Sequence, residues 1–217
     1  MMAHPGIRTI ILTLLVITMC GWAKAAGGAD KPTDAGQKKK EGEVKFYGTA
    51  DSAKKIVYVL DFSGSMLDTL DFLREEVNRS VNALTPEQSF NVVAFSEWVS
   101  AIYPELQKPT PEVKKDLALK MQNIRSSSGP DDMLEPYQKA FEAAFQMQPE
   151  VIYFLTDGRF DPRLVDLVTK NLNKDKKVRV NTLGFVINDS ISEDQLKELA
   201  KKNGGEYKFV SEKDLGN

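Results

Sequence analysis

The chain has 217 residues, with 29 Lys+Arg against 31 Asp+Glu, and its one His and one Cys (His4 and Cys20) both fall near the amino terminus. If that segment is removed on export, a Ser-His-Asp triad, a Cys nucleophile, a His/Cys zinc site and a disulfide are all excluded. A net charge of -2 speaks against nucleic-acid and anionic-membrane partners, and 41% hydrophobic with 28% charged residues is ordinary globular composition.

In chain order, residues 9–23 carry no charge and centre on Ile10, Ile11, Leu12, Leu14, Leu15, Val16 and Ile17. The stretch is shorter than the ~20 residues of a spanning helix, and Ala23-Lys24-Ala25 supplies a small-x-small cleavage pattern. Residues 1–25 are therefore expected to be a signal peptide that exports the protein to the periplasm, cell envelope or medium. Membrane association would follow only if this segment stayed uncleaved. Its removal takes Arg8 and Lys24 but no acid, moving the net charge from -2 to -4. Residues 26–43, ending near Lys38-Lys39-Lys40, have almost nothing to bury and read as a flexible linker.

Residues 44–217 form the expected folded domain. Ile56-Leu60, Phe90-Phe95, Val151-Leu155 and Val178-Leu183 are short, β-branched or aromatic runs of the kind covered on both faces of a parallel sheet. Val44-Tyr47 and Val99-Tyr103 read as edge strands. Met66, Leu70, Leu73, Val77, Val81 and Leu84 step by three and four along one helix face. Val113, Leu117, Met121 and Ile124 do the same, as do Leu134, Tyr137, Phe141 and Ala144; Leu164, Val168 and Leu172 mark a shorter helix. Ser192 with Gln195 reads as a capping box opening the last helix, closed by Gly204 or Gly205 before Tyr207-Val210. This order predicts an α/β fold, a doubly wound, mainly parallel sheet with helices on both faces and antiparallel edge strands.

Such sheets bind ligands beyond the carboxyl ends of their strands. There the sequence places Asp61-Phe62-Ser63-Gly64-Ser65-Met66, Ser96-Glu97-Trp98 and Thr156-Asp157-Gly158, together with Ser126-Ser127-Ser128-Gly129-Pro130-Asp131-Asp132 between two helices. All the donors are oxygens, which suits Mg²⁺ or Mn²⁺, with Ca²⁺ behind them. Asp61, Ser63 and Ser65 alternate along a turn that Gly64 permits, so their side chains can converge. Hydroxyl ligands leave a cation's charge largely uncompensated, so it could recruit a carboxylate from another molecule. Each feature also has a plain structural explanation: Ser65 as a helix cap, Asp61 in an Asx turn, Asp157-Gly158 as a turn, Asp132 with Glu135 as a cap, and Asp161 capping a helix that opens with Pro162.

From Phe46 to Val210 the sequence resembles the von Willebrand factor type A domain family. Val57-Tyr58-Val59-Leu60-Asp61-Phe62-Ser63-Gly64-Ser65-Met66 is similar to that family's metal-ion-dependent adhesion site, and Tyr153-Phe154-Leu155-Thr156-Asp157-Gly158 to its second acidic loop. The resemblance implies that Ser63 and Ser65 bind the cation directly while Asp61 and Asp157 hold it largely through water. Where the family usually has a Thr, this chain has Asp131, with Ser128 as the alternative. An aspartate there would tighten cation binding and weaken the pull on a partner's anion. Ser211–Asn217 is too brief for a substantial final helix, which argues against a helix-pulling switch.

The expected function is non-enzymatic: a cation-dependent binding module for a protein partner presenting a carboxylate, with Trp98, Arg159 and Phe160 around it. A metal-free structural or interaction domain is the alternative. A metal-assisted phosphoryl-transfer enzyme ranks third, because Ser63 stands two residues past Asp61 and no Lys-Ser/Thr phosphate loop occurs.

Overall fold

The computed structural model describes residues 42–127, 133–158, 160–185 and 190–214. Six strands make one sheet in the order β5-β4-β3-β6-β7-β8, with β3 Lys55–Asp61, β4 Ser89–Phe95, β5 Val99–Ala101, β6 Val151–Thr156, β7 Arg179–Phe185 and β8 Tyr207–Val210. Only β5 runs antiparallel, pairing Phe95 with Val99. Strands β3, β4, β6 and β7 are buried over almost their whole length, which explains their near-continuous apolar sequence.

Helices α1 (Leu70–Asn82) and α2 (Pro111–Asn123) cover one face; α3 (Leu134–Gln146), α4 (Arg163–Asp166) and α5 (Ser190–Lys202) cover the other. α1 buries Leu70, Leu73, Val77 and Val81, the expected stripe. Met66 is buried too, but in a 3₁₀ turn over Gly64–Thr69 that precedes the α-helix. Thr110 caps α2 by accepting the Val113 N–H at 3.3 Å. Near α4, Asp161 accepts the Arg163 N–H at 2.9 Å; the helix then widens into a π-helical turn over Leu167–Leu172. α5 starts at Ser190, so Ser192 lies inside the helix, buried, and does not open it as a capping box. Gly204 ends it with φ +65°, and a Cβ on Gly205 would sit 2.1 Å from the Val180 carbonyl oxygen.

Val44-Tyr47 is not an edge of the main sheet. β1 (Val44–Phe46) pairs with β2 (Thr49–Asp51) as a separate hairpin around Tyr47 and Gly48, both at positive φ. Phe46 packs edge-on against Tyr58 and Tyr153, and Tyr47 against Phe185. The hairpin thus fills the sheet face beside α1. Glu76 accepts the Tyr47 N–H and pairs with Arg79, Lys208 Nζ donates to the Tyr47 carbonyl, and Arg179 clasps Asp51 with two bonds of 2.7 Å. At the amino end of the sheet, Gln88 Nε2 donates to the Gly42 and Ala53 carbonyls. Among the described residues no helix is long and apolar enough to cross a membrane.

Candidate metal centre

β3 and β6 are neighbours in register, Leu60 opposite Leu155, so the residues that follow them emerge side by side. Asp61 ends β3 and is only 2% exposed. Its Oδ1 accepts the Ser63 N–H at 2.8 Å and its Oδ2 the Thr156 hydroxyl at 2.6 Å. Beyond it, Ser63 Oγ lies 3.1 Å from Ser65 Oγ, and Ser65 Oγ donates to Asp157 Oδ1 at 3.0 Å. Four of the five predicted ligand positions, Asp61, Ser63, Ser65 and Asp157, therefore stand together at the carboxyl end of the sheet. Asp131 and its alternative Ser128 lie outside the described residues, as does Arg159.

Burial pushes the Asp61 carboxyl up to about 6; the Thr156 and Ser63 hydrogen bonds oppose this and the Asp157 charge adds to it. Among the described residues no guanidinium or ammonium contributes. Asp61 is thus a buried acid held by neutral donors, an environment in which an external cation would favour the ionised form.

The donor set fits a small hard cation. Adjacent ligands in an octahedral shell with bonds of ~2.1 Å are about 3 Å apart, and the Ser63–Ser65 and Ser65–Asp157 oxygens have this spacing. Among the described residues no three His, Cys, Asp or Glu side chains form a metal-holding group. The cluster is built from two carboxylates and two hydroxyls, poor in charge and free of soft donors.

Sequence reasoning passed over two supporting contacts. Thr156 is fully buried, orients Asp61, and accepts the Gly158 N–H at 3.2 Å, so it couples the two loops. Its signal was a lone hydroxyl closing an apolar strand. Ser127 pins the loop before α3: its N–H donates to the Phe62 carbonyl at 3.3 Å, its Oγ to Ser96 Oγ at 2.9 Å, and Ser96 Oγ to its carbonyl at 3.0 Å. Two serines 31 residues apart give no local pattern to read. Ser65 is no helix cap, being the second residue of the 3₁₀ turn, whose preceding Ser63 makes no side-chain cap bond either. Asp132 lies outside the described residues, and Met133, not Asp132, immediately precedes α3. Phe160 does not join the rim: it is 3% exposed and packs on Tyr137 and Phe154. Trp98 is half-buried and lines the same pocket as Ser63.

The model of the von Willebrand factor type A domain matches residues 54–209. The chain belongs to this family. Human von Willebrand factor A domain-containing protein 3B is 27% identical over 158 residues, which is 71% of this chain and 12% of that protein. The chain therefore spans about an eighth of that relative's length. Among solved structures, a von Willebrand factor type A protein from Catenulispora acidiphila superposes with TM-score 0.58 at 18% identity, covering 75% of this chain and 40% of that one. An aerotolerance-related membrane protein from Bacteroides fragilis gives 0.54 at 16%, over 74% and 92%. Proximal thread matrix protein 1 of the mussel byssus, solved with a zinc-occupied MIDAS motif, gives 0.53 at 15%, over 71% and 41%. These likenesses establish the shared fold.

Proposed function

We propose that this chain is an exported binding module, not an enzyme, that holds a divalent cation at Asp61, Ser63, Ser65 and Asp157 and through it a carboxylate of a protein partner. The observation that carries this reading is the oxygen cluster itself, drawn from two strand ends onto one exposed point around a buried acid that has no cationic partner among the described residues. A bound cation would supply a positive centre that neutral hydroxyls leave unquenched, open to one more anionic ligand. Asp61 and Thr156 form its floor, Ser63 and Ser65 its directly facing donors, and Asp157 its flank. Mg²⁺ and Mn²⁺ suit the donors best; the zinc in the mussel protein's motif makes Zn²⁺ a competitor to include. Export rests on residues 1–25, with the membrane protein of Bacteroides fragilis as a relative of the same fold.

Calorimetric titration of cation-free protein with Mg²⁺, Mn²⁺ and Zn²⁺ tests the centre. Saturable binding, abolished by Asp61→Ala with Ser63→Ala, is the expected result. No saturable binding, or binding indifferent to that double change, defeats it. A metal-free interaction domain is the second reading, favoured by one observation: Ser63, Ser65 and Asp157 already satisfy one another by hydrogen bonds. Partner capture unchanged by chelator would select it.

A further inference from the structure

Beside the oxygen cluster lies a pocket of about 180 Å³ that shares Asp61 and Ser63 with it. Its other walls include Phe95, Trp98, Met133 and Tyr137. Phe95 and Tyr137 are buried and meet edge to face at 5.0 Å, and Tyr137 leans on Phe160, so this wall is a braced aromatic surface. An apolar cavity of about 150 Å³ is room enough for a benzene ring. Among the described residues the charged side chains on the lining are Asp61, Glu97, Glu135 and Lys139, and Lys139 is paired with Glu135 at 2.6 Å. Among the described residues the pocket therefore offers an apolar side chain an aromatic wall, and with Lys139 already engaged by Glu135 a carboxylate is drawn to a cation on the neighbouring oxygens.

From this juxtaposition, and resting on the cation-binding function proposed above, we infer that the ligand is the carboxyl terminus of a polypeptide ending in an aromatic or large aliphatic residue. In a terminal residue the carboxylate carbon and Cβ hang on the same Cα, about 2.5 Å apart. A carboxylate on the cation thus delivers its own side chain to the adjoining pocket. An internal Asp or Glu has no second side chain on the same Cα: its immediate neighbours point to the opposite face of an extended peptide, and the next on the same face stands about 7 Å along it. A polypeptide, and not a free amino acid, is indicated by the rim. Leu67, in the turn after β3, Ile191, in the first turn of α5, and Met133 are 62%, 67% and 43% exposed at this same end of the sheet. Of these Met133 is on the pocket lining itself and gives the residue before the terminus an apolar contact.

The test uses the full chain, calorimetry and four probes in saturating Mg²⁺: Ac-Gly-Gly-Phe and Ac-Gly-Gly-Gly with free carboxyl ends, the amide of the first, and free phenylalanine. Ac-Gly-Gly-Phe is expected to bind at least tenfold more tightly than each of the others, and to lose that binding in chelator. Met133→Ala should cut the Phe-over-Gly preference below threefold, and Trp98→Ala should do the same. If Mg²⁺ binds but the two free-acid peptides bind equally, or the amide binds as well as the acid, the pocket assignment is overturned while the cation centre stands. Free phenylalanine matching the peptide overturns the polypeptide. Failure of Mg²⁺, Mn²⁺ and Zn²⁺ alike to bind removes the cation centre and this inference together, so the two failures are told apart by the metal titration alone.

Discussion

Asp61 and Glu76 are the two acidic residues buried among the described residues, at 2% and 5% exposure, and they are held in opposite ways. Glu76 faces Arg79 on its own helix and the Tyr47 N–H of the hairpin, so its charge is balanced from within the fold. Among the described residues Asp61 has a hydroxyl and an amide for partners and a second carboxylate nearby. A buried acid with an internal cation latches structure; a buried acid with only neutral donors at the open end of a sheet leaves a place for a cation from outside.

The largest effect that could break this contrast is on stability. Glu76→Ala should cost about 3 kcal/mol in urea unfolding, since it strands the buried Tyr47 N–H and removes the charge-assisted hydrogen bond that satisfies it, without altering Mg²⁺ affinity more than twofold. A matching loss of Mg²⁺ affinity would erase the distinction. At the other acid, Asp61→Ala with Ser63→Ala should lower Mg²⁺ affinity at least 100-fold, about 2.8 kcal/mol, by calorimetry on protein shown folded by circular dichroism.

A subtler consequence has the reverse sign. The Asp61 carboxyl is raised from 3.8 to about 6 in the folded chain, so its ionisation opposes folding. Its favourable contribution is complete below pH 3.8 and is lost as pH rises through about 6. In chelator, Asp61→Asn should therefore stabilise the protein by about 2 kcal/mol at pH 7.5 and by almost nothing near pH 3.5. Saturating Mg²⁺ should abolish or invert that gain, because the ionised carboxylate then has its counter-charge. Thermal melts at both pH values, with and without the ion, decide it. Least of all, Ser127→Ala should cost about 1 kcal/mol by removing one hydrogen bond to Ser96. A fall of more than tenfold in Mg²⁺ affinity would instead put Ser127 among the ligands.

Much of this was legible in the sequence, and the gaps have physical causes. Strands buried on both faces write unbroken apolar runs, so Ile56-Leu60 and Val151-Leu155 announced themselves and placed Asp61 and Asp157 at one rim. Val44-Tyr47 shows the limit: alternation identifies a strand but not its partner, and the hairpin with β2 depends on Tyr47 and Gly48 both taking positive φ. Ser192 with Gln195 matched a cap by spacing alone, while the helix begins a half-turn earlier, at Ser190. Phe160, adjacent to an exposed loop in sequence, is drawn inward by Tyr137 and Phe154, a pull that only the tertiary packing reveals. The pairing of Ser96 with Ser127 and the hold of Thr156 on Asp61 are non-local contacts of small hydroxyls, for which periodicity has no signature.

The hydrogen bond from Gln88 to the Gly42 carbonyl has a directional consequence. Gln88 precedes β4, and Lys54, just after the hairpin, precedes β3, so the polypeptide enters the domain where the parallel strands start. Asp61, Ser63, Ser65 and Asp157 stand where those strands finish. Gly42 and the oxygen cluster therefore mark opposite ends of the parallel strands, so a label placed at Gly42 would report on the domain without crowding the cluster.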